Sequence, residues 1–518
     1  MRCQKILKIL VLFCLLITFG SFPTKAYNGT IMTAEAATNN RPIGYLDAIW
    51  TSTNTIGGWA FDPDTSGTSI SVRFEIDGQS TGSITTNVYR SDVNSAFGIT
   101  GNHGFNWTIP SQFRSGSWHT VRVLAVDSST SISYRNEEID RSPARYRYSS
   151  GSVSYAEKVF DWSNNKCEDI DLPDTPARAF RDSSGKIQLL AVHYKAYRNI
   201  GSTFNSLTHD CGNGPIFNSH NQSIPDNYNN LEWLSAPFTL DGAYIYNIIH
   251  NEYHIDDNWV ANMYTTLTLA SSTNSGRTYS HATPPSHLVF SLPFKWDMSP
   301  TGPRGNPPAW YGVGFISNIV GREGYYYMFA QSHYWDNAQQ QWIGGTCVFR
   351  TSDFRIPNSW RGWNGTSYAA QSVDPYSYAG DPPPPSPQNR CLPFSTAANG
   401  WTNGMSISSI TYSSAFNLWL AVGFYDHPGD KSSNGFYYIT TSDFIHWSFP
   451  QLLMISSWGN PNRNNVEPQI TYPSLIDHNA LTRNFEDSGT SPYLYFVREN
   501  NMPSHDRDLI RIQIQLPQ

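Results

Sequence analysis

The sequence predicts an all-β protein in two parts, a small β-sandwich over residues 41–142 and a five-bladed β-propeller over residues 156–518. Three observations lead to this prediction. Charged residues make up only 14% of the chain, against about a quarter in a typical globular domain, so uncharged polar residues must form much of the surface. Short segments of alternating polarity lie between turn residues. From about residue 156, one pattern of strands repeats along the chain.

Residues 1–36 are typical of a secretory signal peptide. The stretch MRCQKILKILVLFCLLITFGSF begins with basic residues and continues as an apolar run, and Ala34-Glu35-Ala36 forms a small-residue cleavage pattern. The run is short for a membrane span, and no later segment approaches the roughly 20 apolar residues that spanning requires. We therefore expect a secreted protein. The net charge of −7 argues against nucleic acid as a partner, and we expect a monomer.

Four cysteines remain after such a peptide is removed: Cys167, Cys211, Cys347 and Cys391. An even number of cysteines in an oxidising compartment predicts disulfide bonds, and four cysteines allow three connectivities. We expect Cys167 to pair with Cys211 and Cys347 with Cys391. No CxxC spacing indicates a zinc site.

The predicted sandwich rests on the segments GGWAFDPD, SVRFEIDG and HTVRVLAVD, which turns rich in Gly, Asp and Asn separate. The pattern GWA-x-D, with the later YRSDVNSAFGITGNHGFNWTIP, resembles accessory modules attached to secreted bacterial proteins. Such a module would bind carbohydrate or cell wall through Trp50, Trp59 or Trp107. Because Trp is highly buried on average, we favour a core position for Trp59 and Trp107.

Each repeat of the second part has an apolar strand, a tight turn, a second apolar strand and later a Ser/Thr-rich segment that an aromatic residue closes. A unit of four strands that occurs five times predicts a five-bladed propeller. The paired strands are TPARAFRDSSGKIQLLAVH, WLSAPFTLDGAYIYNIIH, GFISNIVGREGYYYMFAQSH, SISSITYSSAFNLWLAVGFYDH and, last, TYPSLIDH with PYLYFVREN.

The TSDF turns of residues 351–360 and 441–447, together with the GYYY type of second strand, resemble the five-bladed propeller glycosidases of the arabinanase/xylosidase and invertase/levanase type. The stretch STNSGRTY at 272–279 is also similar to the Asp-box turn of sialidases, with Asn where Asp is usual. The resemblance covers residues 156–518 and implies cleavage of glycosidic bonds in a polysaccharide or oligosaccharide. These motifs are structural, so they indicate the fold better than the function.

Loop length predicts which face of the propeller is functional. The turns DSSG, LDG, REG and STNSG are short, whereas the connections on the other face are long, and long loops on one rim usually carry a binding site. The second strands end on that rim with His193, His250, Glu252, His254, His333, Asp426, His427, Arg498 and Glu499. First strands begin there with Asp171, Asp174, Arg178, Glu232 and Glu467.

In the resembled glycosidases an aspartate of the first blade activates water or attacks carbon, and a glutamate protonates the leaving group. Asp174 matches the first-blade position. The chemistry requires two carboxylates in unlike environments, one ionised and one with a raised pKa. Blades three and four offer no carboxylate at the strand start, so Glu252 and Glu232 are the candidate acids by their position in the ring and not by motif.

Seven further side chains are predicted to bind substrate: Arg178, His193, His250, Trp233, His333, His427 and Arg498. In a sialidase-like variant, Arg178 and Arg498 would bind the carboxylate of an acidic sugar, since arginine binds carboxylates in a bidentate manner. Five blades instead of six argue against that variant.

Two other functions remain open at this point. On a strand, His250, Glu252 and His254 project to one side and could hold a divalent metal ion in a lyase or hydrolase, with His193 or His333 as a fourth ligand. No cofactor is firmly predicted. Alternatively, the ring only binds sugar, as in a lectin or adhesin. Sugar identity, linkage and stereochemical outcome do not follow from the sequence.

Overall fold

Short β-strands form almost all of the regular structure, as the sequence predicts. The computed structural model describes residues 39–127, 136–219, 224–254, 263–296, 310–394, 405–427, 429–459, 467–500 and 505–516. The predicted signal peptide lies outside these residues. The α-helices are α1 (Ser91–Phe97) and α2 (Trp162–Asn165), and single 3-10 turns occur at Pro63–Thr65, Ser111–Phe113, Phe204–Ser206, Pro225–Asn227, Pro357–Ser359, Pro375–Ser377 and Lys431–Ser433. None of the helices in the described ranges has the length and apolar character to cross a membrane.

Two antiparallel sheets form the N-terminal part. Their strands are β1 (Ile43–Trp50), β2 (Thr55–Phe61), β3 (Ser71–Ile76), β4 (Gln79–Thr85), β5 (Val88–Tyr89), β6 (Asn102–Thr108), β7 (Trp118–Val126), β8 (Asn136–Glu138), β9 (Ala144–Arg147) and β10 (Ser152–Tyr155). One sheet has the order β1-β2-β6-β5, and the other has the order β10-β9-β7-β3-β4 with β8 beside β7. Alternate side chains of both sheets, such as Leu46 and Phe74, share one apolar core.

The tryptophans of this region occupy unlike positions. Trp107 is buried and stacks on Phe74 with ring centroids 4.3 Å apart, so it is a core residue. Trp59 is partly buried against Tyr45, whereas Trp50 is 44% exposed. The second sheet continues beyond residue 142 to the end of β10.

The remaining strands form a series of antiparallel runs: β12-β13-β15-β16, then β18-β19-β20, β23-β25-β26-β27-β28, β29-β30-β31-β32 and finally β33-β35-β36. Their bounds, with those of the short strands between them, are β11 (Glu157–Phe160), β12 (Arg178–Arg181), β13 (Ile187–Leu190), β14 (Lys195–Ala196), β15 (Asn199–Gly201), β16 (Thr208–His209), β17 (Phe217–Asn218), β18 (Leu231–Phe238), β19 (Ile245–Tyr253), β20 (Met263–Ser272), β21 (Ser280–His281), β22 (Leu288–Phe290), β23 (Trp310–Gly314), β24 (Val320–Arg322), β25 (Tyr325–Asp336), β26 (Gln341–Thr351), β27 (Arg361–Trp363), β28 (Tyr368–Ala370), β29 (Met405–Ser413), β30 (Leu418–Tyr425), β31 (Gly435–Thr441), β32 (Gln451–Ile455), β33 (Gln469–Ile476), β34 (Asp487–Ser488), β35 (Tyr493–Glu499) and β36 (Arg507–Gln513).

The last of these runs contains strands from both ends of the region. Strand β11 pairs antiparallel with β36, with Glu157 opposite Arg511, and so completes a sheet with β35 and β33. This pairing covers one edge of β36, and an uncovered edge would present unpaired backbone groups. It also ties the beginning of the region to the end of the chain.

The recurring TSDF turns supply core aromatics. Phe354 and Trp360 of one copy are buried in the largest apolar cluster, and Phe444 and Trp447 of the other copy are buried in a neighbouring cluster. The STNSG turn is stabilised by Asn274, whose Oδ1 accepts the backbone N–H groups of residues 277 and 278. The motifs that carried the resemblance are therefore structural in this chain.

Both predicted disulfide bonds are confirmed. Cys167 pairs with Cys211 and Cys347 pairs with Cys391, each across 44 residues. The first bond closes a loop that contains the whole run β12-β13-β15-β16, and the second closes a loop that runs from β26 past β28. Such cross-links stabilise a fold mainly by restricting the unfolded chain.

A buried cluster of charges joins the N-terminal sheets to the last run. Glu467 is fully buried and forms ion pairs with Arg73 and, at 3.7 Å, with Arg122. Arg122 also pairs with Glu138 at 3.1 Å and with Glu75 at 3.4 Å. Burial alone would lower the pKa of Arg122, but the three carboxylates together raise it above its usual range. Glu467, predicted as a strand-start residue of the rim, therefore lies in a contact between two parts of the molecule.

Candidate active site

Asp174, four residues before the start of β12, lies at the centre of a polar cluster. The Trp233 Nε1–H donates to its Oδ2 at 3.0 Å, and the Tyr472 hydroxyl donates to its Oδ1 at 3.2 Å. Arg507 forms an ion pair with the same carboxylate, and His193 Nε2 lies 3.6 Å from Oδ2. Two hydrogen-bond donors, an ion pair and a nearby imidazole therefore surround this carboxylate.

The position of Tyr472 depends on an irregularity in β33. The register between β33 and β35 shifts between Thr471 and Ser474, and Tyr472 has a φ of 53°. Bulges of this kind redirect a side chain out of the regular alternation of a strand. Here the redirected hydroxyl bonds Asp174, and burial together with Asp174 raises the pKa of Tyr472 well above its usual value.

Glu499, the last residue of β35, is a second carboxylate beside the same arginine. It lies opposite Arg507 in the register with β36, and its Oε1 accepts the Thr471 hydroxyl at 3.4 Å. Burial raises the pKa of Glu499, Arg507 lowers it and Asp174 raises it again, with a net upward shift. Asp174 and Glu499 thus form a pair of carboxylates in unlike environments, and burial raises the pKa of Glu499.

Glu252 is also near this cluster, but its surroundings favour the ionised form. His250 Nε2 lies 2.6 Å from Oε1, and His254 Nε2 lies 2.9 Å from Oε2. The Phe315 N–H donates to His250 Nδ1, so in the neutral ring Nε2 carries the proton and donates to Glu252. Burial would raise the pKa of Glu252, but the two histidines lower it to about 2. A general acid must be protonated near working pH, so Glu252 does not suit the role of acid that its position in the ring suggested.

Glu232, the other acid candidate, lies on the opposite face of β18 from Trp233, because side chains alternate along a strand. It is fully buried, and its Oε1 lies 3.5 Å from His281 Nε2. The carboxylate therefore points away from Asp174. The alternation also explains why Trp233, His250 and Glu252 share the other face, since Trp233 pairs with His250 in the sheet.

The two predicted arginine ligands are engaged by the protein itself. Arg178 is buried and donates to the carbonyl oxygens of Ala177, Ser235, Ile316 and Ser408, at 2.6 to 3.2 Å. These carbonyls belong to several antiparallel runs, so Arg178 holds the runs together.

Arg498 is buried as well and pairs with Asp508 at 3.0 Å and with the Asn500 side chain at 3.0 Å. With these contacts, neither Arg178 nor Arg498 is placed to bind the carboxylate of a sugar. The arginine at the cluster is Arg507.

The predicted histidines divide into two groups. His193 packs edge-on against Trp233 in the cluster, and burial lowers its pKa to about 4 in spite of Asp174, so it is neutral near pH 7. His333 stacks on Trp310 with ring centroids 3.9 Å apart, and burial lowers its pKa to about 4. His427 is fixed through its backbone N–H, which donates to Asn434 Oδ1. Four histidines were predicted to bind substrate, namely His193, His250, His333 and His427. Of these, His193 and His250 are the two whose contacts with carboxylates of the cluster are described.

The predicted metal set, His250, Glu252 and His254, does come together. Each imidazole is directed at a different oxygen of Glu252. This is the geometry of two hydrogen bonds to one carboxylate. Among the described residues, a different group of possible metal ligands has its ligand atoms within 4.8 Å of one another, around Cys167 and Cys211.

Sequence reasoning missed Tyr472 and Arg507. Neither shows a pattern in the sequence, because Tyr472 reaches the cluster through a bulge and Arg507 is the first residue of β36, a strand that the predicted ring did not include. Glu499 stood in the predicted ring, and its position as the last residue of the second strand was the signal that identified it.

No protein-family model and no curated protein matches the chain. Similar solved structures include a glycosyl hydrolase from Bacteroides ovatus, which is 9% identical, covers 75% of this chain and 93% of its own, and gives a TM-score of 0.38. The catalytic domain of the Coprinopsis cinerea GH62 α-L-arabinofuranosidase is 9% identical, covers 69% and 95%, and gives 0.37. The Cellvibrio cellulosa α-L-arabinanase is 10% identical, covers 66% and 90%, and gives 0.36. At such low scores and identities, these similarities carry no functional conclusion.

Proposed function

We propose that the protein is a glycoside hydrolase that cleaves a polysaccharide or oligosaccharide at the Asp174 cluster. Asp174 acts as general base or nucleophile, and Glu499 acts as general acid. The observation that carries this proposal is the pair of carboxylates near Arg507: Asp174 receives two hydrogen bonds and an ion pair, and Glu499 has a raised pKa. Glycosidases require two such carboxylates, because one must donate a proton while the other remains ionised.

The remaining side chains of the cluster support these two roles. Arg507 forms an ion pair with Asp174 and lies opposite Glu499 in the sheet. Trp233 and Tyr472 hold the orientation of Asp174. Glu252, ionised between two histidines, places a fixed negative charge near the site, which would stabilise an oxocarbenium-like transition state. Glu252 therefore acts through its charge and not through proton transfer.

The proposal includes the wider architecture predicted by the sequence. The antiparallel runs of residues 156–518 are the blades of a five-bladed propeller that carries the site, and residues 41–142 form an accessory β-sandwich that binds carbohydrate or cell wall. The protein acts outside the cell as a monomer. What supports this part is the order of strands in each run, the closure of the last run by β11 and the two disulfide bonds.

Product analysis on a panel of plant, fungal and bacterial wall glycans tests the function. The wild-type protein should release new reducing ends from at least one glycan, and chromatography of the products should identify the sugar and the linkage. Asp174→Asn is the matched variant, because the amide keeps the shape and acceptor atom for Trp233 but loses the charge. It should release no products above background.

Two results would contradict the proposal. Release of reducing ends that is equal in the wild type and in Asp174→Asn would mean that the active site lies elsewhere. Binding to a glycan with no product from the wild-type protein, at any pH between 4 and 9, would instead identify a lectin or adhesin.

A further inference from the structure

The disulfide bond between Cys167 and Cys211 lies beside two side chains of the kind that bind metal ions. Asp171 is buried in the segment before β12, and His209 ends β16. The two sulfurs, one carboxylate oxygen of Asp171 and one ring nitrogen of His209 all lie within 4.8 Å of one another. Two thiolates, an imidazole and a carboxylate make a four-ligand set of the type that binds zinc in tetrahedral geometry.

His209 lies between two polar side chains of the protein. Its Nε2 lies 2.7 Å from Asp171 Oδ2, and its Nδ1 lies 3.2 Å from Asn199 Oδ1. Nε2 is therefore the ring nitrogen beside the carboxylate, and Nδ1 is the ring nitrogen that a second side chain holds. An Nδ1–H that donates to a protein oxygen is the usual outer contact of a histidine that ligates zinc.

The carboxylate is also held in place towards the sulfurs. Asp171 Oδ2, the oxygen next to His209, accepts the backbone N–H of Cys167 at 2.8 Å. Asp171, Cys167 and His209 are thus oriented around one point before any ion is present. An oriented ligand set loses less conformational entropy when it binds an ion.

The other disulfide bond of the chain provides an internal comparison. Cys347 and Cys391 are fully buried in an apolar cluster that contains Phe349 and Trp360. That bond forms in apolar surroundings, so a disulfide of this protein requires neither a histidine nor a carboxylate. The polar surroundings of Cys167 and Cys211 therefore need a separate explanation.

We propose that Cys167, Asp171, His209 and Cys211 bind one Zn²⁺ ion when this disulfide is reduced. A dithiol reductant breaks the S–S bond, transfers two electrons and two protons to the sulfurs and is itself oxidised to a disulfide. Zn²⁺ then displaces both thiol protons to solvent. With Zn–S distances of about 2.3 Å, two sulfurs of a tetrahedral site lie roughly 3.8 Å apart, so a small separation of the two cysteines is sufficient.

Titration with Co²⁺, a spectroscopic substitute for Zn²⁺, tests the proposal on the full-length protein. The protein is reduced with dithiothreitol, freed of reductant under argon and titrated while visible absorption is recorded. Bands of tetrahedral Co²⁺–thiolate coordination should saturate at one equivalent per chain and disappear when Zn²⁺ is added. The protein with its disulfides intact should give no such bands. Circular dichroism verifies that the reduced protein is folded.

Three variants separate this site from other thiols. Cys347→Ser with Cys391→Ser is the matched control and should bind Co²⁺ as the wild type does. His209→Ala should lose the tetrahedral bands. Asn199→Ala, which keeps all four ligands, should weaken Co²⁺ binding about tenfold or more, as is typical for an outer contact.

The site is disproved if the reduced protein shows no tetrahedral bands, or if His209→Ala binds Co²⁺ as tightly as the wild type. Loss of folding on reduction that Zn²⁺ does not reverse also counts against it. None of these measurements depends on glycosidase activity. They therefore test the metal site separately from the proposed function.

Discussion

The clusters around Asp174 and Glu467 both contain an arginine paired with a strand-start carboxylate, but different residues surround the two ion pairs. Around Asp174 lie a tryptophan, a tyrosine and a histidine, and its side chain is 15% exposed. Around Glu467 lie two arginines, and its side chain is 1% exposed. The first carboxylate is partly open to solvent, whereas the second is buried between two parts of the molecule.

Under the proposed function, Asp174 takes part in the reaction, whereas Glu467 stabilises the folded structure. The ion pairs of Glu467 satisfy buried guanidinium groups, and their loss leaves those charges without compensation. The donors around Asp174 instead leave it accessible and adjacent to a second carboxylate of raised pKa. We expect changes at Asp174 to affect activity and changes at Glu467 to affect stability.

Asp174→Asn should have the largest effect. The amide cannot act as a base or nucleophile, so we expect kcat on a glycan that the wild type cleaves to fall by about 10²- to 10⁴-fold. The thermal unfolding midpoint should stay close to that of the wild type. A large loss of stability with nearly normal activity per folded molecule would place Asp174 in the same class as Glu467.

Glu467→Gln should have the next largest effect, on stability. Removal of this carboxylate leaves Arg73 and Arg122 with less compensating charge at a buried contact, which costs about 3–5 kcal/mol of unfolding free energy. Denaturant titration measures this loss, and kcat of the folded protein should not change. A strong decrease in kcat without a shift of the denaturation midpoint would contradict the comparison.

Glu499→Gln tests the assignment of the acid through the pH profile. Because the pKa of Glu499 is raised, its protonated form persists above the usual range for glutamate, and wild-type activity should fall as the pH rises through that pKa. The variant should lose about 10²-fold in kcat and should no longer show this alkaline decrease. An unchanged alkaline limb would exclude Glu499 as the acid, and Glu252→Gln would then be the next variant to measure.

Trp233→Phe should have the smallest effect. Phenylalanine keeps an aromatic ring in place but lacks the N–H that donates to Asp174, and the loss of one hydrogen bond costs about 1 kcal/mol. We therefore expect kcat/KM to fall about fivefold with little change in stability. A loss as large as that of Asp174→Asn would show that the ring does more than orient the carboxylate.

The all-β structure could be predicted because it depends on patterns along the chain, whereas the four cysteines alone allow three pairings, of which the structure has the expected one. Alternating apolar residues, turn residues and the repeated TSDF turn determine strands and core aromatics such as Phe354 and Trp360, whatever the rest of the molecule does. Asp174 was predicted from its position at the start of a first strand. The state of Glu252 was not predictable, because it depends on how His250 of β19 and His254, the residue after the end of that strand, are oriented in the folded protein.

The sequence by itself therefore determined the strands, which follow from local spacing, and it identified Asp174 as a candidate through the resemblance to known glycosidases. It allowed three pairings of the four cysteines. The tertiary structure decided which carboxylates meet. It brought Arg507 and Glu499 to Asp174, turned Glu232 to the other face of its sheet and placed Glu467 between two arginines. The physical reason is that burial and neighbouring charges set the protonation state of a carboxylate, and both arise only when distant segments pack together.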